Sequence, residues 1–137
     1  MSEKKLTHLN ADGQSHMVDV SGRDVTVRTA QASGHVKISS AVIAMLRDNT
    51  VPKGDVLATA RIAGIMGAKR TPELIPLCHP IALHSVTVEC EIDASGVAIV
   101  AKVKTADRTG VEMEALTAVS VAALTVIDMV KAVDPSA

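Results

Sequence analysis

No Phe, Tyr or Trp occurs anywhere in the 137 residues. The core must therefore be filled by Val, Ile, Leu, Met and Ala. A nucleobase could not stack on an aromatic ring of this chain, which excludes a single-strand-binding platform. Net charge is nearly absent too, at -1. A chain so balanced is no general polyanion binder, so nucleic-acid partners are not expected and any anion site must come from local Lys and Arg clusters. Only two cysteines are present. Cys78 and Cys90 make no disulfide framework, and a reducing, cytoplasmic setting is expected. Met1 to Asn10 is polar and carries no apolar signal region. The longest apolar run, Ala115 to Val130, is broken by Thr117, Ser120, Thr125 and Asp128. It reads as too short and too polar for a membrane span, and as a wholly buried helix instead. No repeat, low-complexity tract or linker divides the chain. One domain over residues 1–137 is expected, with residues 1–16 mobile.

What is present has the punctuation of an α+β protein. Val25 and Val27, then Val36 and Ile38, alternate as strands do, with Gly34 read as a bulge or turn between them. Ser39 or Ser40 caps a short helix over Ala41 to Asp48, and Asp55 caps a second running from Val56 to about Ala68. That second helix carries Ala60, Gly64 and Ala68 along one face, which lets another backbone approach closely. Val86, Val88, Cys90 and Ile92 alternate with Thr87, Glu89 and Glu91. The Asp93-Ala94-Ser95-Gly96 turn leads into a partner strand with Val97, Ile99, Ala101 and Val103 on one face. Lys102 and Lys104 on its other face are expected to pair with the glutamates across the hairpin. A last helix covers roughly Met113 to Ala132. The order predicts a ferredoxin-like α+β sandwich, an antiparallel sheet with helices packed on one face. The last helix is apolar nearly all round, so self-association is expected to cover what one sheet cannot.

Four clusters can carry chemistry. Lys53-Gly54-Asp55 places a lysine at a helix entrance, where free backbone N–H groups also favour a phosphate; an ordinary capped turn has the same pattern. Lys69-Arg70 precede Thr71-Pro72-Glu73, with Thr71 read as cap and Pro72 as first helical residue; the two cations can bind an anion or simply end a solvated helix. In Pro76-Leu77-Cys78-His79-Pro80 the second proline holds His79 extended, leaving backbone groups free to read a ligand edge. His79 can act as acid, base or donor there. Cys78, His79 and His84 do not form a convincing zinc pattern, so no metal is assigned. Thr109-Gly110-Val111-Glu112-Met113-Glu114 opens the last helix, and Asp128 and Lys131 lie three apart near its end. A carboxylate inside an apolar stretch with one lysine for company is a functional candidate, against the plainer reading of a surface ion pair. Glu114 and Asp128 stand roughly 21 Å apart along a continuous helix. They serve opposite ends of a long ligand, or pockets completed by different subunits.

These segments, with Ala60-Arg61-Ile62-Ala63-Gly64-Ile65, Met17-Val18-Asp19-Val20-Ser21 and Lys131-Ala132-Val133-Asp134, resemble the MoaC family, the cyclic pyranopterin monophosphate synthases of molybdenum cofactor biosynthesis. The resemblance runs from about Leu6 onwards. It implies a lyase that converts (8S)-3',8-cyclo-7,8-dihydroguanosine 5'-triphosphate to cyclic pyranopterin monophosphate with release of pyrophosphate. It implies a ferredoxin-like fold and a homohexamer of three dimers with pockets at subunit interfaces. By position it makes Asp128 the acid/base residue and Lys53 and Lys131 essential lysines. Leu77, Cys78 and His79, together with Met113 and Glu114, become substrate-binding segments, and Glu112 a further participant. Lys69 and Arg70 can help stabilise the departing pyrophosphate. No organic cofactor follows, and Mg2+ enters only with the triphosphate. Two departures stand out: Val130 replaces the usual Cys, and the family's Gly-, Ser- and Lys-rich tail does not follow Asp134, which is expected to weaken activity where that tail closes the pocket. The alternatives from other classes are a non-catalytic ligand-binding module and a metal-dependent phosphohydrolase, the latter lacking a dense Asp and His cluster.

Overall fold

The computed structural model describes residues 6–137; the expectation of a mobile 1–16 segment falls partly outside them. Within that segment Leu9 and Ser15 form an antiparallel bridge around a turn, closed by Gly13 N–H donating to Asn10 O at 3.0 Å.

The first regular element is a single strand, β1 (Thr26–Lys37). The expected bulge or turn at Gly34 is absent, and Gly34 pairs in register with Ile99. Its glycine has another cause. A Cβ built there would stand 2.7 Å from Val119 Cγ1, so the last helix presses onto the strand at this point. Packing has overridden a local turn signal.

Ser39 caps α1 (Ser40–Asp48), its hydroxyl accepting from Val42 N–H. Asp55 caps α2 (Val56–Lys69), accepting from Ala58 N–H at 3.1 Å. A short α3 (Thr71–Leu74) follows at once, with Pro72 in its first turn. Here Thr71 is not the cap expected of it. It is fully buried and its hydroxyl donates backwards, to Gly67 O at 3.2 Å and Ala68 O at 2.9 Å. A threonine hydroxyl can close the carbonyl end of one helix as readily as the amide end of the next.

Strands β2 (Ser85–Ile92) and β3 (Gly96–Asp107) form the hairpin, with Asp93 N–H donating to Gly96 O at 2.9 Å across the turn. The sheet order is β1-β3-β2 and both pairings are antiparallel. β1 and β2 are therefore parallel and separated by β3, the split β-α-β arrangement of a ferredoxin-like fold carried on three strands. The expected Glu–Lys pairs do not form. The tight turn sets Glu91 opposite Ala98 and Glu89 opposite Val100, while Lys102 and Lys104 face Thr87 and Ser85.

α4 (Glu112–Val130) lies across the inner face of the sheet beside α2. By length and composition this 19-residue helix could cross a membrane, so the sequence-based judgement of "too short and too polar" does not hold. Packing decides its role, although the helix is not wholly buried as expected: Leu116 and Leu124 stand exposed on its other face. Ala115, Ala118, Ala122, Val126 and Val130 are buried against β1, β3 and α2. The α2–α4 contact is made of very small groups. A Cβ at Gly64 would meet Ala118 O at 3.0 Å, and one at Gly67 would meet Val121 Cγ2 at 2.8 Å. The small-residue face expected of α2 thus lets the two helices touch almost backbone to backbone, and fixes what α4 presents at each end.

Candidate active site

At the C-terminal end of α4, three side chains from two separate stretches converge. Lys53 sits in the α1–α2 turn, which Gly54 closes by donating its N–H to Val51 O at 3.0 Å. Gly54 has φ 111°, a conformation that an L side chain would strain, so the turn that aims Lys53 depends on a glycine beside it. Lys53 Nζ donates to the Asp128 backbone carbonyl at 2.8 Å and approaches Asp128 Oδ2 at 3.4 Å. Lys131 Nζ pairs with Asp128 Oδ1 at 2.9 Å, one helical turn away. Hydrogen bonding from Lys131, then from Lys53, holds the Asp128 carboxyl below its ordinary pKa. The carboxylate is thus ionised at neutral pH, flanked by two cations. Of the two readings its sequence left open, the surface ion pair is the one that forms, and the carboxylate is not partly buried. Its side chain is 58% exposed, because it falls on the solvent-facing stripe of α4 in the single chain.

The N-terminal end of α4 closes a cavity of about 210 Å³. Leu77, Cys78 and His79 enter it from the loop between α3 and β2, and Glu112, Met113 and Glu114 from the first turn of α4. No side chain caps that turn. Glu114 is only 4% exposed. Burial, with a smaller contribution from the neighbouring Glu112, raises its carboxyl pKa. Cys78 behaves likewise: burial first, then the Glu114 charge, push its thiol up, so it is a poor thiolate and a better neutral wall. His79 donates from Nε2 to the Val18 carbonyl. That bond ties the loop to the N-terminal segment, which supplies Thr7, His8, Val18, Val20 and Arg23 to the same cavity. None of these five was assigned to the site from the sequence. The only signal was the Met17-Val18-Asp19-Val20-Ser21 segment, which carried family likeness but no chemical role.

Lys69 and Arg70 belong to neither group directly. Arg70 N–H closes α2 on Met66 O and Gly67 O, each at 3.1 Å, and the residue is exposed. Lys69 lines a groove with His84 and Leu83 that shares Ile81 with the cavity, so the groove adjoins it. Among the described residues no cluster of His, Cys, Asp and Glu has the make-up of a metal site.

One chain therefore carries two separate groups: a carboxylate between two lysines, and a recessed pocket with a buried acid. Known proteins are similar to this sequence along nearly its whole length. The pattern that defines the MoaC family matches residues 17–137. The chain belongs to the MoaC family. Relatives named cyclic pyranopterin monophosphate synthase include that of Streptomyces avermitilis, 65% identical over 99% of this chain and 80% of its own length. That of Streptomyces griseus is 67% identical over 99% of this chain and 77% of its own. That of Corynebacterium glutamicum is 60% identical over 97% of this chain and 85% of its own. The matched span of this MoaC-family chain contains Lys53, Asp128, Lys131 and the segments 77–79 and 112–114 alike.

Proposed function

We propose that the chain is a lyase of molybdenum cofactor biosynthesis. It converts (8S)-3',8-cyclo-7,8-dihydroguanosine 5'-triphosphate to cyclic pyranopterin monophosphate and releases pyrophosphate. The observation that carries this reading is the Lys53–Asp128–Lys131 constellation within a chain 60–67% identical to synthases so named.

The chemistry suits the groups present. Opening and reclosing rings at purine-derived carbon and nitrogen atoms needs a base and an acid in reach of one another. Asp128, held ionised by its lysines, is the base. Lys53 and Lys131 are the adjoining donors, and they stabilise charge as a cyclic phosphate forms and pyrophosphate departs. The base-derived ring is placed in the other half-site. There Glu114 and Glu112 accept from ring N–H groups, and Leu77, Cys78, His79 and Met113 supply backbone groups and walls. Hydrogen bonding thus replaces the aromatic stacking that this composition denies. Lys69 and Arg70 are proposed to add positive charge along the adjoining groove. The triphosphate brings Mg2+ as its counter-ion, and no resident cofactor is invoked.

The two half-sites lie at opposite ends of α4, roughly 21 Å apart. Both can meet one substrate at close range if each working site takes one half from each of two chains. A homohexamer of three dimers in the cytoplasm is the assembly proposed. Supplying the cyclised intermediate to purified protein should give the pterin product and pyrophosphate. Neither product appearing would overturn the assignment, as would undiminished turnover by Asp128→Asn.

A further inference from the structure

The recessed pocket poses a charge problem for the substrate just proposed, on which this inference rests. Glu112 and Glu114 both line it, and the ligand carries a triphosphate. A phosphate set against those carboxylates would be repelled. The base end must therefore enter the pocket, and the phosphates must leave over its rim. Lys53 and Lys131 stand at the far end of α4 in the same chain. Among the described residues lining the cavity, setting the imidazoles aside, one permanent cation is present: Arg23.

Its placement is specific. Arg23 ends a turn in which its own N–H donates to Val20 O at 3.0 Å, while Ser21 N–H donates to Asp19 Oδ1 at 2.9 Å. Val18, just ahead of that turn, accepts the bond from His79. The turn is thereby fastened to the loop that forms the opposite wall. The Arg23 side chain is exposed and engages no carboxylate among the described residues. A guanidinium is charged at every working pH and offers a planar fork of N–H donors that matches phosphate oxygens.

We infer that Arg23 is the rim anchor for the phosphate chain of the substrate. The N-terminal segment is then a working wall of the site, and it sets the direction in which the ligand lies.

Calorimetric titration of the full chain with GTP and with guanosine separates the phosphate from the base. The wild-type chain should bind GTP more tightly than guanosine. Arg23→Ala should weaken GTP binding about tenfold or more and leave guanosine unchanged, since a hydrogen bond to a charged group is lost. Arg23→Lys should recover part of the loss, keeping charge without the fork. Only the backbone of Arg23 serves the turn, so the fold should survive; Arg23→Gln, which keeps most of the side-chain length, repeats the test. Equal losses for both ligands, no loss for GTP, or a wild-type chain without preference would each overturn the inference. Failure of the wild-type chain to turn over the cyclised intermediate would instead overturn the proposed reaction.

Discussion

Replacing Gly67 by alanine tests whether α4 is positioned by direct contact with α2. A Cβ at Gly67 would lie 2.8 Å from Val121 Cγ2, 2.9 Å from Val121 Cβ and 3.3 Å from Val121 Cγ1. None of these is the far end of a flexible side chain, so one helix must move. Alanine brings about 1 kcal/mol of helix propensity over glycine. Overpacking a close-packed interface costs about 1–3 kcal/mol. The net expectation is destabilisation by about 1 kcal/mol, where an unopposed Gly→Ala change would stabilise by that much. Val121→Ala removes two of the three clashing atoms, so Gly67→Ala should cost less in that background, with a coupling of about 1 kcal/mol. Gly22→Ala, whose Cβ would meet nothing within 4 Å, serves as the control. Without aromatic residues the assay must be far-ultraviolet circular dichroism in a urea series, at one fixed protein concentration because the chain is proposed to associate. A Gly67→Ala protein more stable than wild type, or one whose cost ignores Val121, would refute this account of how α4 is seated.

If each working site draws its two halves from different chains, Asp128→Asn and Glu114→Gln proteins, each inactive alone, should regain activity when refolded together. Random mixing leaves both halves intact in about a quarter of the sites, and no recovery would mean that one chain supplies both. The pKa of Glu114 is raised in the fold above its ordinary 4.5, so the protonated form is the one folding favours. Its contribution should be fully present below 4.5 and fall away as pH rises through the folded value; Glu114→Gln should flatten that part of a urea-midpoint profile. Asp93 shows the opposite sign. Hydrogen bonding from His35, then from Ser95, lowers its carboxyl from 3.8 to about 2. Its contribution should hold above pH 3.8 and be lost on descent towards 2, and Asp93→Asn should remove that acid limb in the same titration.

What the sequence revealed depended on whether the deciding force was local. Asp55 was legible as a cap, and the other cap was narrowed to Ser39 or Ser40, because the bond each makes spans a few residues. The hairpin at Asp93 to Gly96 and the small face of α2 were legible for the same reason. Gly34 was misread because its partner, Val119, lies on another element and leaves no trace in the local pattern. The Glu–Lys ladder failed because the tight turn, and not charge, sets the register. Thr71 faced two helix ends, and its sequence position alone does not say which one its hydroxyl serves. The site divided in the same way. Asp128 and Lys131 were legible as neighbours from helical spacing, but that spacing left open whether the pair is exposed, as it is, or partly buried. The wall from Val18 to Arg23 was missed altogether, since its place in the cavity arises through one long-range bond to His79.

A helix cushioned by large side chains can settle deeper or ride higher as those side chains are exchanged. α4 has little such slack, because at Gly34, Gly64 and Gly67 the surfaces that face it have already been trimmed to hydrogen. Nothing smaller can be substituted, and anything larger pushes. Its height above the sheet is a fixed dimension of the molecule, and the interval between the acidic pocket at one tip and the lysine pair at the other is manufactured to that tolerance. Freedom to vary is displaced outward, to the uncovered side of the sheet where Thr87, Lys102 and Gln31 stand in a row.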